Sequence, residues 1–136
     1  MGKNAIDATL EGIRRLRTRP FLYKLYLELY GFFERELETL PPGPRLELGS
    51  GGGFLGERIP GLITSDIVAL PTVDLVASAM ALPFRGGELS AICMMNVLHH
   101  MSDVSAFFDE AGRCLMPGGK MVIVIIGNPA GWIASN

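Results

Sequence analysis

Between residues 5 and 19 the apolar side chains Ile6, Leu10, Ile13 and Leu16 recur at the three-to-four-residue interval that lines one face of a helix. Pro20 interrupts the pattern. A second helix is predicted over residues 21–40, ending before Pro41-Pro42-Gly43-Pro44, which cannot continue it. Beyond this break the texture changes to short apolar runs separated by Gly, Pro and Asp. Five of these runs read as strands, at residues 45–48, 62–65, 73–77, 90–95 and 120–126. They are nearly continuous in apolar character rather than alternating, the pattern of parallel strands covered on both faces. The crossovers are uneven. Residues 54–59 allow one short helix before Pro60-Gly61, and residues 67–72 are too short for any. Residues 102–116 form an amphipathic helix with Ser102 or Asp103 as cap, Val104, Phe107, Phe108, Ala111 and Leu115 on its apolar face, and Pro117-Gly118-Gly119 as its stop. The expectation is a doubly wound α/β fold. Its mostly parallel sheet of about five strands would occupy residues 41–136, with an N-terminal helical extension at residues 1–40.

A length of 136 residues fits one domain, and 49% hydrophobic with 19% charged residues excludes disorder as the default. The formal charge of −2 argues against a nucleic-acid partner, which calls for a basic excess. The N-terminus lacks the apolar stretch of a signal peptide, and the strongest apolar run, residues 121–126, falls far short of the ~20 residues that span a bilayer. A soluble, cytoplasmic protein without a membrane partner is expected. Cys93 and Cys114 lie in apolar segments and read as buried reduced thiols. The basic run Arg14, Arg15, Arg17 and Arg19 reads as the solvated face of an amphipathic helix, with contact to an anionic partner as the alternative.

Glycine changes the picture more. Of 17 glycines, seven fall between Gly43 and Gly61, at the end of the first strand, where doubly wound sheets bind their ligands. Two registers compete. Gly51-x-Gly53-x-x-Gly56 satisfies the dinucleotide fingerprint, with Asp66 as the ribose acid, and implies an NAD(P)-dependent oxidoreductase. Against it, Gly49 and Ser50 intervene after the strand, and the Glu47 carboxylate repels a pyrophosphate. The second register is Glu47-x-Gly49-x-Gly51-x-Gly53, an acid followed by alternate glycines. A carboxylate here suits a cofactor with positive ammonium and sulfonium groups and no phosphate.

This second register resembles motif I of the class I, Rossmann-like S-adenosylmethionine-dependent methyltransferases. Asp66 matches the family's acid for the two ribose hydroxyls, a charge-assisted pair of hydrogen bonds to a diol. Residues 79–84 (Ala-Met-Ala-Leu-Pro-Phe) resemble the segment lying against the adenine. Asn96-Val97-Leu98-His99-His100 resembles a motif of the small-molecule branch, and residues 114–120 are similar to its helix stop before the fifth strand. The resemblance runs in order from Arg45 to Ile126. It implies S-adenosylmethionine as cofactor, held by Glu47, Gly49, Ser50, Gly51, Gly53, Asp66, Ile67, Ser78, Ala79, Met80, Asn96 and Val97, and a small-molecule methyl acceptor. A domain that binds the cofactor without turnover is the alternative. One departure is Ser78, where the family usually carries an Asp for the adenine amino group; a serine accepts more weakly and reaches less far.

No catalytic residue follows from the sequence alone. His99 and His100 are candidates for a general base, since imidazole titrates near neutrality, and the alternative is one packing under the next helix while the other faces solvent. No metal site is expected. Tyr23, Tyr26 and Tyr30 form a stripe with Phe33 that reads as a core or docking face, or as acceptor-pocket lining if the helix covers the cleft. The family fold adds two strands after the fifth, and residues 127–136 leave no room for them. The exposed fifth-strand edge is then expected to be covered by a homodimer, by the N-terminal helices or tail, or by a missing C-terminal portion of a truncated chain.

Overall fold

The structure is a computed structural model that describes residues 2–126, without the side chains of Lys3, Asn4 and His99. Two helices lead the chain, α1 (Gly2–Thr18) and α2 (Pro20–Glu38). Their separation comes down to Arg19. A residue before proline is pushed out of the helical region, and Arg19 is extended at φ −109° and ψ 104° with Pro20 opening α2. There follow β1 (Arg45–Leu48), α3 (Leu55–Arg58), β2 (Ile63–Asp66), β3 (Leu75–Val76), β4 (Leu89–Met95), a single 3-10 turn at Leu98–His100, α4 (Val104–Cys114) and β5 (Leu115–Val124).

The strands make one sheet in the order β3-β2-β1-β4-β5, every neighbouring pair parallel. Glu47 on the central β1 sits opposite Thr64 of β2 and Cys93 of β4. The chain leaves β1 toward β2 on one side and later returns to β4 on the other, so the crevice opens at the C-terminal end of β1.

Both faces of the sheet are buried, as the continuous apolar runs require. Ala91 and Cys93 of β4 join Leu16, Tyr30, Phe33, Leu37 and Leu55 on the face covered by α1, α2 and α3. The alternate residues Ile92 and Met94 join Leu46, Leu48, Phe107, Ala111 and Cys114 on the face covered by α4. Cys93 and Cys114 are free thiols in these cores. Asp103 caps α4, its side chain accepting from the Ala106 N–H at 3.0 Å. Two of the four arginines of the basic run are engaged. Arg14 pairs with Glu11, and Arg17 reaches Glu57 at 2.5 Å with its guanidinium 5.5 Å from the Phe54 ring centroid.

Several boundaries differ from the sequence expectation. The third strand shrinks to two residues. The last helix stops at Cys114, and β5 begins at once with Leu115 opposite Leu89. Pro117-Gly118-Gly119 is thus a bulge inside the strand pairing, which resumes with Lys120 opposite Ala91. Gly119 is what lets the strands stay together there: a Cβ at this position would lie 2.9–3.0 Å from the backbone oxygens of Ser90, Leu89 and Met116. Gly119→Ala is expected to lower stability by about 1–3 kcal/mol through overpacking against rigid backbone. A urea midpoint equal to that of the parent chain would refute the crowding. β5 forms one edge of the sheet, with Val122 and Val124 packed against the α2 side. The tail, one of the three covers named for this edge, falls at residues 127–136 and lies outside the described residues.

Candidate functional site

The site grows from the polar residues at the ends of β1 and β2. Glu47 is 5% exposed, an uncommon burial for a carboxylate. Its side chain accepts a hydrogen bond from the Ser50 hydroxyl at 2.7 Å. That hydroxyl in turn accepts from the Ser65 N–H, while the Ser65 hydroxyl donates to the Glu47 carbonyl at 2.6 Å. Burial, opposed by the Ser50 hydrogen bond and reinforced by nearby Asp66, pushes the Glu47 carboxyl up to about 7. Its charge is therefore poised to respond to whatever enters the site.

The glycine loop hangs on side chains from two other elements. The Gly51 N–H donates to Asp66 Oδ2 at 3.0 Å, and the other oxygen, Oδ1, accepts from the Val68 N–H. At the far end of the loop the Phe54 N–H donates to the Tyr30 hydroxyl at 3.0 Å. Gly53 is required by that contact, because a Cβ there would stand 2.6 Å from the Tyr30 oxygen. Phe54 is clamped by rings of α2, stacked on Tyr23 at 4.9 Å and edge-on to Tyr30 at 4.8 Å. On the other side of the crevice Asn96 holds a left-handed conformation at φ 57°, which Asn tolerates better than most residues. Its N–H donates to the Val124 carbonyl and its Oδ1 accepts from the Ile126 N–H at 2.7 Å, tying the loop after β4 to the end of β5.

These groups surround two adjoining cavities. One, of about 260 Å³, is bordered by Glu47, Gly49, Ser50, Gly51, Gly53 and Asn96, and is roofed by Gly12 and Leu16 of α1 and Leu22, Tyr26 and Tyr30 of α2. The other, of about 510 Å³, is bordered by Gly49, Asp66, Ile67, Asn96 and Val97 and by Ser78, Ala79 and Met80. Gly49, Met95 and Asn96 belong to both and form the waist between them. All twelve residues expected to hold a cofactor thus border one or both of these adjoining cavities. Of the two histidines, His100 borders the larger cavity beside Met101 and Ser102, and the His99 side chain lies outside the described residues.

Sequence reasoning left out Met95 and the part of the roof that α1 supplies, and raised α2 as a cover only conditionally. The tyrosine stripe was the available signal: Tyr30 and Phe33 are buried in the core, as its core reading expects, and Tyr26 and Tyr30 also border the smaller cavity. What spacing does not reveal is that the Tyr30 hydroxyl reaches the glycine loop 24 residues away.

The dinucleotide register meets a specific obstacle. A pyrophosphate needs free loop N–H groups at the start of a helix. Here the N–H groups of Ser50, Gly51, Gly53 and Phe54 already donate to Ser65, Asp66, Ser50 and Tyr30. The helix that follows, α3, is only four residues long. Among the described residues there is no trio of His, Cys, Asp or Glu able to hold a metal ion, and no helix long and apolar enough to cross a membrane.

Several solved structures share the fold. A protein from Methanococcus maripaludis, assigned to the S-adenosyl-L-methionine-dependent methyltransferases, superposes with a TM-score of 0.68 at 15% identity, covering 96% of this chain and 71% of its own. Geranyl diphosphate C-methyltransferase from Streptomyces coelicolor, solved with S-adenosyl-L-homocysteine, gives 0.62 at 18% identity, covering 84% of this chain and 53% of its own. The CurJ carbon methyltransferase gives 0.65 at 18% identity, covering 90% and 40%. The chain therefore spans about half or less of the length of the latter two. No curated protein matches it. Residues 46–123, more than half of the chain, match the family described as Methyltransferase domain, and the chain belongs to that family, on its class I, Rossmann-like fold.

Proposed function

We propose that this domain binds S-adenosylmethionine along the two joined cavities and transfers its methyl group to a small molecule. The observation that carries the reading is the pair of carboxylates on opposite sides of the waist, Asp66 bordering the larger cavity and Glu47 the smaller. A ligand with a diol-bearing nucleoside at one end and cationic groups at the other complements that arrangement.

Asp66 fits the ribose. Each of its oxygens accepts one backbone N–H and keeps a lone pair for a hydroxyl. Ile67, 71% exposed, offers an apolar surface for the adenine, with Ala79, Met80 and Val97 beside it. The Ser78 hydroxyl accepts from the Met80 N–H at 3.2 Å, which steadies this turn and leaves its proton available to a ring nitrogen. Glu47 faces the ammonium and sulfonium, and Gly49, Ser50, Gly51 and Gly53 with the Asn96 backbone shape the passage between. Residues 41–136 form the cofactor-binding core in this reading, and residues 1–40 a helical cover.

When bound, S-adenosylmethionine supplies an electrophilic methyl group on sulfur. The chain's part is to hold donor and acceptor in line. Leu16, Leu22 and Tyr26 make the acceptor side of the smaller cavity largely apolar. His100 borders the larger cavity, with the residues assigned to the nucleoside, and the His99 side chain lies outside the described residues, so neither is assigned the part of a general base.

The test is incubation with methyl-labelled S-adenosylmethionine and a panel of small apolar acceptors, following S-adenosylhomocysteine release. Release that depends on acceptor and cofactor supports the enzyme. Tight binding with no release from any acceptor favours the second reading, a binder without turnover, for which Ser78 in place of the family's usual Asp is the motivating feature.

A further inference from the structure

Charge is spread unevenly along this chain. Arg14, Arg15, Arg17, Arg19 and Lys24 put five basic side chains and no acid into residues 14–24, the end of α1 and the start of α2. The rest of the chain holds the remaining 7 of 12 basic side chains and all 14 acidic ones. Arg14 and Arg17 pair with Glu11 and Glu57, whereas Arg15, Arg19 and Lys24 are exposed and make no ion pair among the described residues.

Apolar surface is open at the same corner. Phe21, which follows the Arg19-Pro20 break, is 82% exposed, although phenylalanine is among the residues most often buried. At 3.6 residues per turn, Phe21, Leu25 and Phe32 fall on the half of α2 opposite its buried residues Tyr30, Phe33 and Leu37. Lys24 and Arg35 share that half, and the Arg35 guanidinium lies 4.8 Å from the centroid of the exposed Phe32 ring. Between Lys24 and Arg35 it carries one acid, Glu28.

An open helix face of aromatic and aliphatic side chains flanked by cations complements an anionic bilayer surface. The rings enter the boundary between headgroups and acyl chains, and the cations meet the lipid phosphates. A nucleic-acid strand would match the cations and stack on a ring, but would leave Leu25 without an apolar partner. We infer that the α1–α2 corner docks on an anionic lipid bilayer, with Phe21 inserted and Arg15, Arg19 and Lys24 against the headgroups. Such docking is peripheral and needs no membrane-crossing helix, of which there is none among the described residues. It revises the sequence expectation of a chain without a membrane partner. The inference is independent of the cofactor reading, yet the corner adjoins the cleft: Leu16 and Leu22, on either side of it, border the smaller cavity.

Co-sedimentation of the full chain with lipid vesicles tests it, using phosphatidylcholine alone and an equal mixture of phosphatidylcholine with phosphatidylglycerol. The parent chain is expected to bind the mixed vesicles at least about 10-fold more strongly. That preference should collapse in ~1 M salt, where the screening length falls to about 3 Å. Phe21→Ala is expected to lose about 10-fold on mixed vesicles, the scale of burying one aromatic side chain. Arg15→Gln combined with Arg19→Gln should lose about 25-fold, from about fivefold per charge near the surface. Arg85→Gln, which removes one charge from the connection before β4, is expected to bind as the parent does. All these positions are exposed, and unfolding at the parent's Tm checks that each variant is folded. No binding to either vesicle, equal binding to both, unchanged affinity in Phe21→Ala, or an equal loss in Arg85→Gln overturns the inference. So does tighter binding to a single-stranded oligonucleotide than to the mixed vesicles, which would make the corner a nucleic-acid surface.

Discussion

Asp66→Ala is expected to weaken S-adenosylhomocysteine binding by at least about 100-fold while the chain still folds. Two hydrogen bonds from the ribose hydroxyls to one carboxylate carry the expectation, each worth about 1.5–3 kcal/mol because the acceptor is charged. The substitution also frees the N–H groups of Gly51 and Val68, which Asp66 holds at 3.0 Å. Both groups can turn to water, since neither residue is buried, so the stability loss should be the smaller effect. Asp66→Asn sharpens the test. It preserves a carbonyl oxygen for one partner and removes the charge, and its affinity should fall between parent and alanine variant. Affinity within a factor of three of the parent for Asp66→Ala would mean that the nucleoside lies elsewhere.

Glu47→Gln should move stability and binding in opposite directions. The Glu47 carboxyl stands at about 7 in the folded chain against an ordinary 4.5, chiefly because it is buried. Between those two values the unfolded chain has released the proton and the folded chain still holds it. Folded stability therefore falls as pH rises from 4.5 to 7 and levels off above that. Each pKa unit corresponds to about 1.4 kcal/mol, so the full cost of ionising this group approaches about 3 kcal/mol. Glutamine keeps an oxygen for the Ser50 hydroxyl and has no charge to bury. The variant should match the parent in urea unfolding near pH 4.5 and exceed it by up to about 3 kcal/mol at pH 8. Its affinity for a cationic ligand should drop about 10-fold or more, because the carboxylate is the group a cation would stabilise. A variant less stable than the parent at pH 8 would show that ionised Glu47 is compensated by partners other than Ser50. The site thus places a destabilising group where a positive ligand relieves it, a common arrangement at binding sites.

Much of this was legible from the chain alone, for identifiable reasons. Continuous apolar runs specify strands buried on both faces, and the alternation of Ala91 and Cys93 against Ile92 and Met94 supplies one residue set to each core. The break between α1 and α2 follows from Pro20 acting on Arg19. The acid-glycine register picks out Glu47 because carboxylates are seldom left beside a phosphate cradle. Other features are tertiary and leave no local mark. The spacing of Pro117-Gly118-Gly119 is that of a helix stop, and only the Leu89 and Ser90 carbonyls on the neighbouring strand explain why the same residues make a bulge. Three of the loop's donors are committed by Ser65, Asp66 and Tyr30, each at least 15 residues from its donor, so the pattern of glycines could not reveal which N–H groups remain free.

Calorimetric titration of the parent chain with S-adenosylhomocysteine and, in parallel, with NAD tests the central claim most directly. The account predicts a single saturable site for S-adenosylhomocysteine. A concentration 100 times its Kd should stabilise the chain by about 2.7 kcal/mol, raising Tm by roughly 9 °C. NAD should give no heat of binding, because four of the loop N–H groups that a pyrophosphate would draw on, those of Ser50, Gly51, Gly53 and Phe54, are already taken. Binding of NAD without binding of S-adenosylhomocysteine would contradict the account.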